Sequence, residues 1–191
     1  MKDLKTIESR VRAILSNHKE ARDDDMILYL LYYRIEKRDA FDIVMRKVTY
    51  PKNFELTSRE IPEFWGKCHA DGTIKKLIPK IPEGDSFGLM GISLYNKEAS
   101  EFSYGIGISK SDAEIEDETL SVVTVPAHTF VVFKCVGKMP DAFRNLYKFV
   151  CTEIFPASDY QPCGVEIEAY PSDDVQNPGY TCELWIAVEK K

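Results

Sequence analysis

AFDIVMRKV (residues 40–48) is matched by TFVVFKCVG (129–137), and the register of that match decides the fold. Both stretches mix β-branched and aromatic residues with charges in the way strands do. Working outward, each is followed by a helix signature, Ile61-Pro62-Glu63-Phe64-Trp65 in the first case and Met139-Pro140-Asp141-Ala142-Phe143 in the second. Two further pairs then follow in order: GISLY (91–95) with EIEAY (166–170), and FSYGIGI (102–108) with YTCELWI (180–186). The order strand, helix, strand, strand therefore occurs twice. Self-similarity of this kind points to an α+β fold of two like units, a six-stranded antiparallel sheet with two helices and a pseudo-twofold axis.

The units are expected over about 33–110 and 119–191, joined by the acidic run 112–118, and together they form one body over 33–191. Within the first, a strand runs from Tyr33 to about Tyr50 with a break near Asp39. Thr57 or Ser58 starts a helix carrying Ile61, Phe64, Trp65 and Cys68 on one face, and 73–85 is a loop. The second unit has a strand over 120–136 interrupted at Pro126-Ala127, a helix over 140–155 and strands over 165–170 and 180–188. Ahead of both lies a helical extension, 1–32. Leu4, Ile7, Val11, Ile14 and Leu15 form an apolar stripe over residues 3–19, and the apolar run 26–32 reads as a second, shorter helix.

Composition narrows the function. A 191-residue chain with 44% hydrophobic residues builds a real core, and ten Tyr, ten Phe and two Trp exceed what that core needs, which favours a surface or cavity for planar ligands. A net charge of −6 offers no overall field for a phosphate backbone or an anionic membrane, so cationic or neutral partners are favoured. Residues 1–32 hold six Lys and Arg against six Asp and Glu, and that neutrality argues against a direct nucleic-acid reader, while the apolar stripe of the first helix and the MILYLLYY run favour packing or homodimerisation. Five cysteines (68, 135, 151, 163, 182) without a C-x-x-C pair read as free thiols in a reducing cytoplasm. No apolar run reaches membrane-span length, and neither a metal nor a cofactor motif is present.

Strand pleating places candidate ligand contacts. Leu184, Ile186 and Val188 share one face and pack under a helix, which turns Glu183 and Trp185 to the other. In the repeat those positions match Gly105 and Gly107, whose missing side chains leave space. Ile92 and Leu94 face the core, so Gly91, Ser93 and Tyr95 turn the opposite way. The expected hollow lies on the face away from the helices, with Glu168 and Tyr170 of the EAY motif at its edge. Phe64, Trp65 and Tyr147 are candidate contacts from the helices, and Tyr104 one from FSYGIGI.

The motifs YRIEKRDAF (33–41), IPEFW (61–65), FSYGIGI (102–108), VTVPAHTFVVFKCVG (123–137), EAYPSDD (168–174) and CELWIAVEKK (182–191) together resemble the GyrI-like effector-binding domain, found at the C-terminus of AraC-type bacterial transcription activators and also alone. The resemblance implies a tandem pair of SHS2-type units. Their groove takes bulky, often cationic and aromatic small molecules, including many drugs, and a Glu in the last strand recognises charge. That Glu corresponds to Glu183. AraC-type relatives carry a DNA-binding domain of about 100 residues ahead of this module, whereas only about 32 residues precede it here.

The leading expectation is thus a non-enzymatic sensor, regulator or sequestering protein with no catalytic residues. Two alternatives remain open: a hydrolase of reactive small molecules using Glu183 with Tyr95 or Tyr104, and a regulator of a protein partner such as a topoisomerase.

Overall fold

The computed structural model describes residues 33–96, 98–111, 117–171 and 175–191; the two helices expected over 1–32 lie outside the described residues. In chain order the elements are β1 (Tyr33–Arg38), β2 (Phe41–Pro51), α1 (Phe54–Ala70), α2 (Thr73–Leu77) with a 3₁₀ turn (Ile78–Lys80), β3 (Leu89–Tyr95), β4 (Glu101–Ser109), β5 (Ser121–Val125), β6 (His128–Val136), α3 (Asp141–Phe149) running into a π-helical turn (Val150–Ile154), β7 (Tyr160–Tyr170) and β8 (Thr181–Lys190). The result is an α+β fold with one antiparallel sheet in the order β1-β6-β8-β7-β3-β4-β2-β5.

The sheet has eight strands where six were expected, because each long strand breaks and its two pieces part company. The break at 39–40 sends β1 to β6, pairing Arg34 with Val132. The break at Pro126-Ala127, where proline removes a ladder donor, sends β5 to β2, pairing Ile43 with Val123. Each half of the chain thus lends its first strand to the other. Exchanging β1 with β5, β2 with β6, β3 with β7 and β4 with β8 reproduces the strand order in reverse.

Topology also dictates shape. Strand β5 lies at one edge and β6 next to the other, yet only residues 126 and 127 join them. A few residues span roughly 10 Å at most, so the sheet has to curl until its ends meet. Curling buries the face away from the helices upon itself: Ile43, Met45, Phe87, Met90, Ile92, Phe130, Val132, Ile167 and Trp185 form a core there. The helix-side face is covered by α3 over Phe133, Cys135, Cys182, Leu184 and Ile186, and by α1 over Tyr50, Tyr104 and Ile106. With both faces buried, alternation along a strand no longer separates inside from outside.

Several boundaries move. Helix α1 starts at Phe54, ahead of Thr57 and Ser58, because the Asn53 side chain accepts the Leu56 N–H at 3.1 Å and caps the helix. The expected loop 73–85 opens with α2, entered through Gly72 at φ 83° and fixed by Asp71, which accepts from the Thr73 N–H and hydroxyl. Strand β7 begins at Tyr160, five residues before the expected Val165, since Pro162 and a bulge before Glu166 hide the pattern.

The strand glycines Gly105 and Gly107 admit β2. A Cβ at 107 would meet the Val44 carbonyl oxygen and Met45 Cβ at 2.5 Å, whereas one at 105 would meet the Met45 sulfur at 2.5 Å. Gly107→Ala should therefore destabilise the fold by about 2 kcal/mol, and Gly105→Ala by less than about 1 kcal/mol because a thioether swings aside. Urea denaturation checks this, and equal losses at the two sites would contradict it.

Candidate functional site

The centre of the sheet is the β3–β7 pair, in which Gly91 faces Glu168, Ile92 faces Ile167 and Ser93 faces Glu166. Residues opposite one another share a face. Ile92 and Ile167 go to the inner core, so Gly91, Ser93, Glu166 and Glu168 go to the helix side. There α1 and α3 stand apart over β3, β4 and β7 and leave a groove of about 1830 Å³.

Its floor carries both carboxylates, each held by tyrosine hydroxyls. Tyr95 donates to Glu166 Oε1 at 2.7 Å and Tyr147, from α3, to Oε2 at 3.1 Å. Tyr170 donates to Glu168 Oε2 at 2.8 Å, and Tyr104 reaches the same oxygen at 3.4 Å while accepting from the Trp65 indole N–H at 2.8 Å. Both Glu168 bonds fall on Oε2. No buried side-chain oxygen among the described residues lacks a partner, so Oε1 opens on the groove. Aromatic walls converge on the same point: Trp65 meets Tyr170 edge-on at 5.5 Å and Phe143 lies 6.3 Å from it.

Electrostatics follow from that enclosure. Burial pushes Glu168 up to about 7 against the opposing hydrogen bonds of Tyr170 and Tyr104, with Glu166 adding repulsion. Burial likewise raises Glu166, opposed by Tyr95 and Tyr147. The same desolvation raises all four phenols, so they act as neutral donors. Among the described residues no Lys or Arg is paired with either carboxylate. No group of three or more His, Cys, Asp or Glu among them is placed to hold a metal.

Of the residues expected from sequence, Tyr95, Trp65, Tyr147, Glu168 and Tyr170 line this groove. Tyr104 sits just beneath it, fully buried, and Phe64 packs edge-on against Tyr104 at 6.3 Å without reaching the groove. Glu183, Trp185, Gly105 and Gly107 are elsewhere. Trp185 pairs with Ile167 across β7 and β8, which puts it on the inner face, and Glu183 shares that face. There Arg34 grips Glu183 through both guanidinium nitrogens, at 2.5 and 2.9 Å. Trp185 is fully buried between Phe87 and Phe130, at 4.9 and 5.8 Å. The hollow expected away from the helices is thus a packed core, and the open space lies under them. Alternation within each strand is as expected; what differs is that Ile92 packs in the curled inner core, which reverses β3 relative to β8. Glu183 also cannot act with Tyr95 or Tyr104, which sit across the sheet from it.

Sequence reasoning missed Glu166 and Phe143. Glu166 lies two residues before Glu168, so the period-two rule applied to Glu168 would have found it, and Phe143 occupies the repeat position of Trp65.

The family match makes this an effector-binding module. The chain belongs to the integron-associated effector-binding protein family, a GyrI-like family whose model matches residues 34–188. No curated protein is detectably similar in sequence. Among solved structures, a putative transcription regulation protein from Staphylococcus aureus MU50 is similar at 24% identity and TM-score 0.70, over 83% of this chain and 98% of that one. The protein SAV2435, solved bound to tetraphenylphosphonium, is similar at 24% identity and TM-score 0.73, over 83% and 94%. An integron cassette protein from the mobile metagenome of Vibrio cholerae is similar at 20% identity and TM-score 0.58, over 82% and 95%.

The raised Glu168 gives a pH signature. Its folded value of about 7 exceeds the ordinary 4.5, so between these the folded state binds more protons than the unfolded chain. The contribution of Glu168 to stability is therefore greatest below 4.5 and is lost as pH rises through about 7. Glu168→Gln should flatten that part of the stability-versus-pH curve, measured by denaturation from pH 5 to 8. An unchanged slope would show that Glu168 does not titrate there.

Proposed function

We propose that the groove binds bulky, lipophilic, aromatic cations and that the chain serves as a sensor or sequestering protein for them. The observation carrying this reading is a pair of half-buried carboxylates, Glu166 and Glu168, with no cationic partner among the described residues and an aromatic groove above them. An unpaired buried acid is costly, and a ligand cation removes that cost. Coulomb attraction strengthens as the ligand displaces water, and each ring in reach adds roughly 0.5–2 kcal/mol of cation–π attraction. Neither contribution needs a directional donor on the ligand, so the groove suits chemically varied cations of similar size. The tetraphenylphosphonium held by SAV2435, a protein of the same fold, is such a cation.

On this reading the two halves are copies of one SHS2-type unit, with the β3–β7 pair at their pseudo-twofold axis. The neutral extension 1–32 mediates self-association or passes the signal on, the chain works in the cytoplasm, and no direct nucleic-acid contact is needed. A hydrolytic reading would run through Glu166 or Glu168 with their tyrosines.

Thermal unfolding of the full chain at pH 8 with tetraphenylphosphonium tests the proposal. Ligand at about 100 times Kd adds about 2.7 kcal/mol, which corresponds to a rise of roughly 5–10 °C for a domain of this size. Glu166→Gln and Glu168→Gln should each weaken binding at least about tenfold, the 1.4 kcal/mol of one lost charge contact, and Glu183→Gln should not. Affinity should fall as pH drops below about 7, and the ligand should be recovered chemically unchanged. Binding that ignores both groove carboxylates would overturn the reading.

A further inference from the structure

The groove floor carries its acids at two separate points. Glu166 takes its donors from Tyr95 and from Tyr147 of α3, whereas Glu168 takes them from Tyr170 and from Tyr104, the tyrosine that accepts from Trp65 of α1. Neither carboxylate bonds to the other, so the two do not share one proton as an acid dyad does. They stand two residues apart on one face of β7, and two residues of strand advance about 7 Å. Each acid therefore has its own support, one tied to α3 and the other to α1.

Charge and size both favour a ligand that reaches the two acids together. A single positive charge beside one acid leaves the other half-buried and uncompensated. Burial raises the pKa of both, and Glu166 raises that of Glu168 further, so the acids feel each other across the floor. The basic residues of the lining, Lys52, His69, Arg144 and Lys148, are exposed, where solvent and salt screen them. At about 1830 Å³ the groove also exceeds the roughly 300–1,000 Å³ of pockets that hold one drug-sized molecule. Such a space admits an elongated ligand.

We propose that the preferred ligands of the groove are rigid aromatic dications, of the bis-quaternary ammonium class, whose two positive charges stand about 7 Å apart, one over Glu166 and the other over Glu168. The inference rests on the cation-binding reading above and adds to it a count of charges and a spacing. A dication compensates both acids at once, whereas a monocation of the same shape compensates one. Rigidity matters because a flexible diamine loses conformational freedom when both its ends are fixed.

The test compares two ligands of one shape by calorimetric titration of the full chain at pH 8. One is benzyl viologen, whose two pyridinium nitrogens are held apart by a rigid bipyridine core; the other is its singly charged analogue, in which a phenylene ring replaces one pyridinium. Benzyl viologen should bind at least about tenfold more tightly. Glu166→Gln and Glu168→Gln should each bring that ratio down to about threefold or less, and Glu183→Gln, on the opposite face, should leave it unchanged. If a variant fails to fold, the ratio in the unsubstituted chain decides. Equal affinity for the two compounds, or a dication preference that survives both groove substitutions, would overturn the proposal while leaving tetraphenylphosphonium binding intact. Binding of neither compound nor tetraphenylphosphonium would overturn the cation reading along with it.

Discussion

The whole arrangement depends on the cost of half-burying Glu166 and Glu168 with no cation beside them among the described residues. A carboxylate in such a position either protonates or finds donors, and here neutral phenols supply the donors: Tyr95 and Tyr147 for one, Tyr170 and Tyr104 for the other. Phenols suit this task better than Lys or Arg would. They satisfy lone pairs without cancelling charge, so the site keeps its negative potential while its geometry is fixed. The contrast is Glu183, where Arg34 neutralises the acid through a two-pronged ion pair. A bound cation at Glu183 would have to displace a tethered guanidinium, whereas at Glu168 it meets an oxygen already facing the groove.

That site exists only because the sheet curls. The two-residue link between β5 and β6 forces the edges together, and the inner face then packs against itself with Trp185, Phe87 and Phe130 at its centre. Once this core supplies cohesion, α1 and α3 need not meet over the middle of the sheet. Each anchors its own side, α1 over Ile106 and Tyr104, α3 over Leu184 and Ile186. The gap between them is the groove. The inner core and the open groove thus lie on opposite faces of the same strands.

How much of this was legible in the sequence varied with the kind of signal. Periodicity found the strand-forming stretches and the two longer helices of the described residues, but read β1–β2 and β5–β6 each as one interrupted strand and missed α2 and the 3₁₀ turn after it; the alternation Glu183/Leu184/Trp185/Ile186 was read correctly within its strand. Register between strands was not legible. Ile92 reads equally well as helix-facing or as part of an inner core, and only the pairing of Ile92 with Ile167 and of Ile167 with Trp185 settles it. The glycines misled for a related reason. Gly105 and Gly107 signal a close approach, but what approaches is Met45 and the backbone of β2. Tyr95, Tyr147, Tyr170, Trp65 and Glu168 were found because an aromatic or acidic residue on a half-buried face is unusual whichever face it turns out to be.

The alignment of the halves explains why the acids sit on one strand only. GISLY and EIEAY place Gly91 against Glu166 and Ser93 against Glu168, and the β3–β7 register pairs Gly91 with Glu168 and Ser93 with Glu166. Acids at all four positions would bring four carboxylates within a few ångströms in a desolvated groove, and like charges so close cannot all ionise. The small residues on β3 also have a steric task. A Cβ at Gly91 would fall 2.4 Å from the Tyr104 hydroxyl and 2.8 Å from Glu168 Oε2, so any side chain there would break up the pair it faces. One strand supplies the charge and the other, by withholding side chains, supplies the room. The departure from exact repetition between the halves is therefore what gives a near-symmetric scaffold an asymmetric, anionic groove.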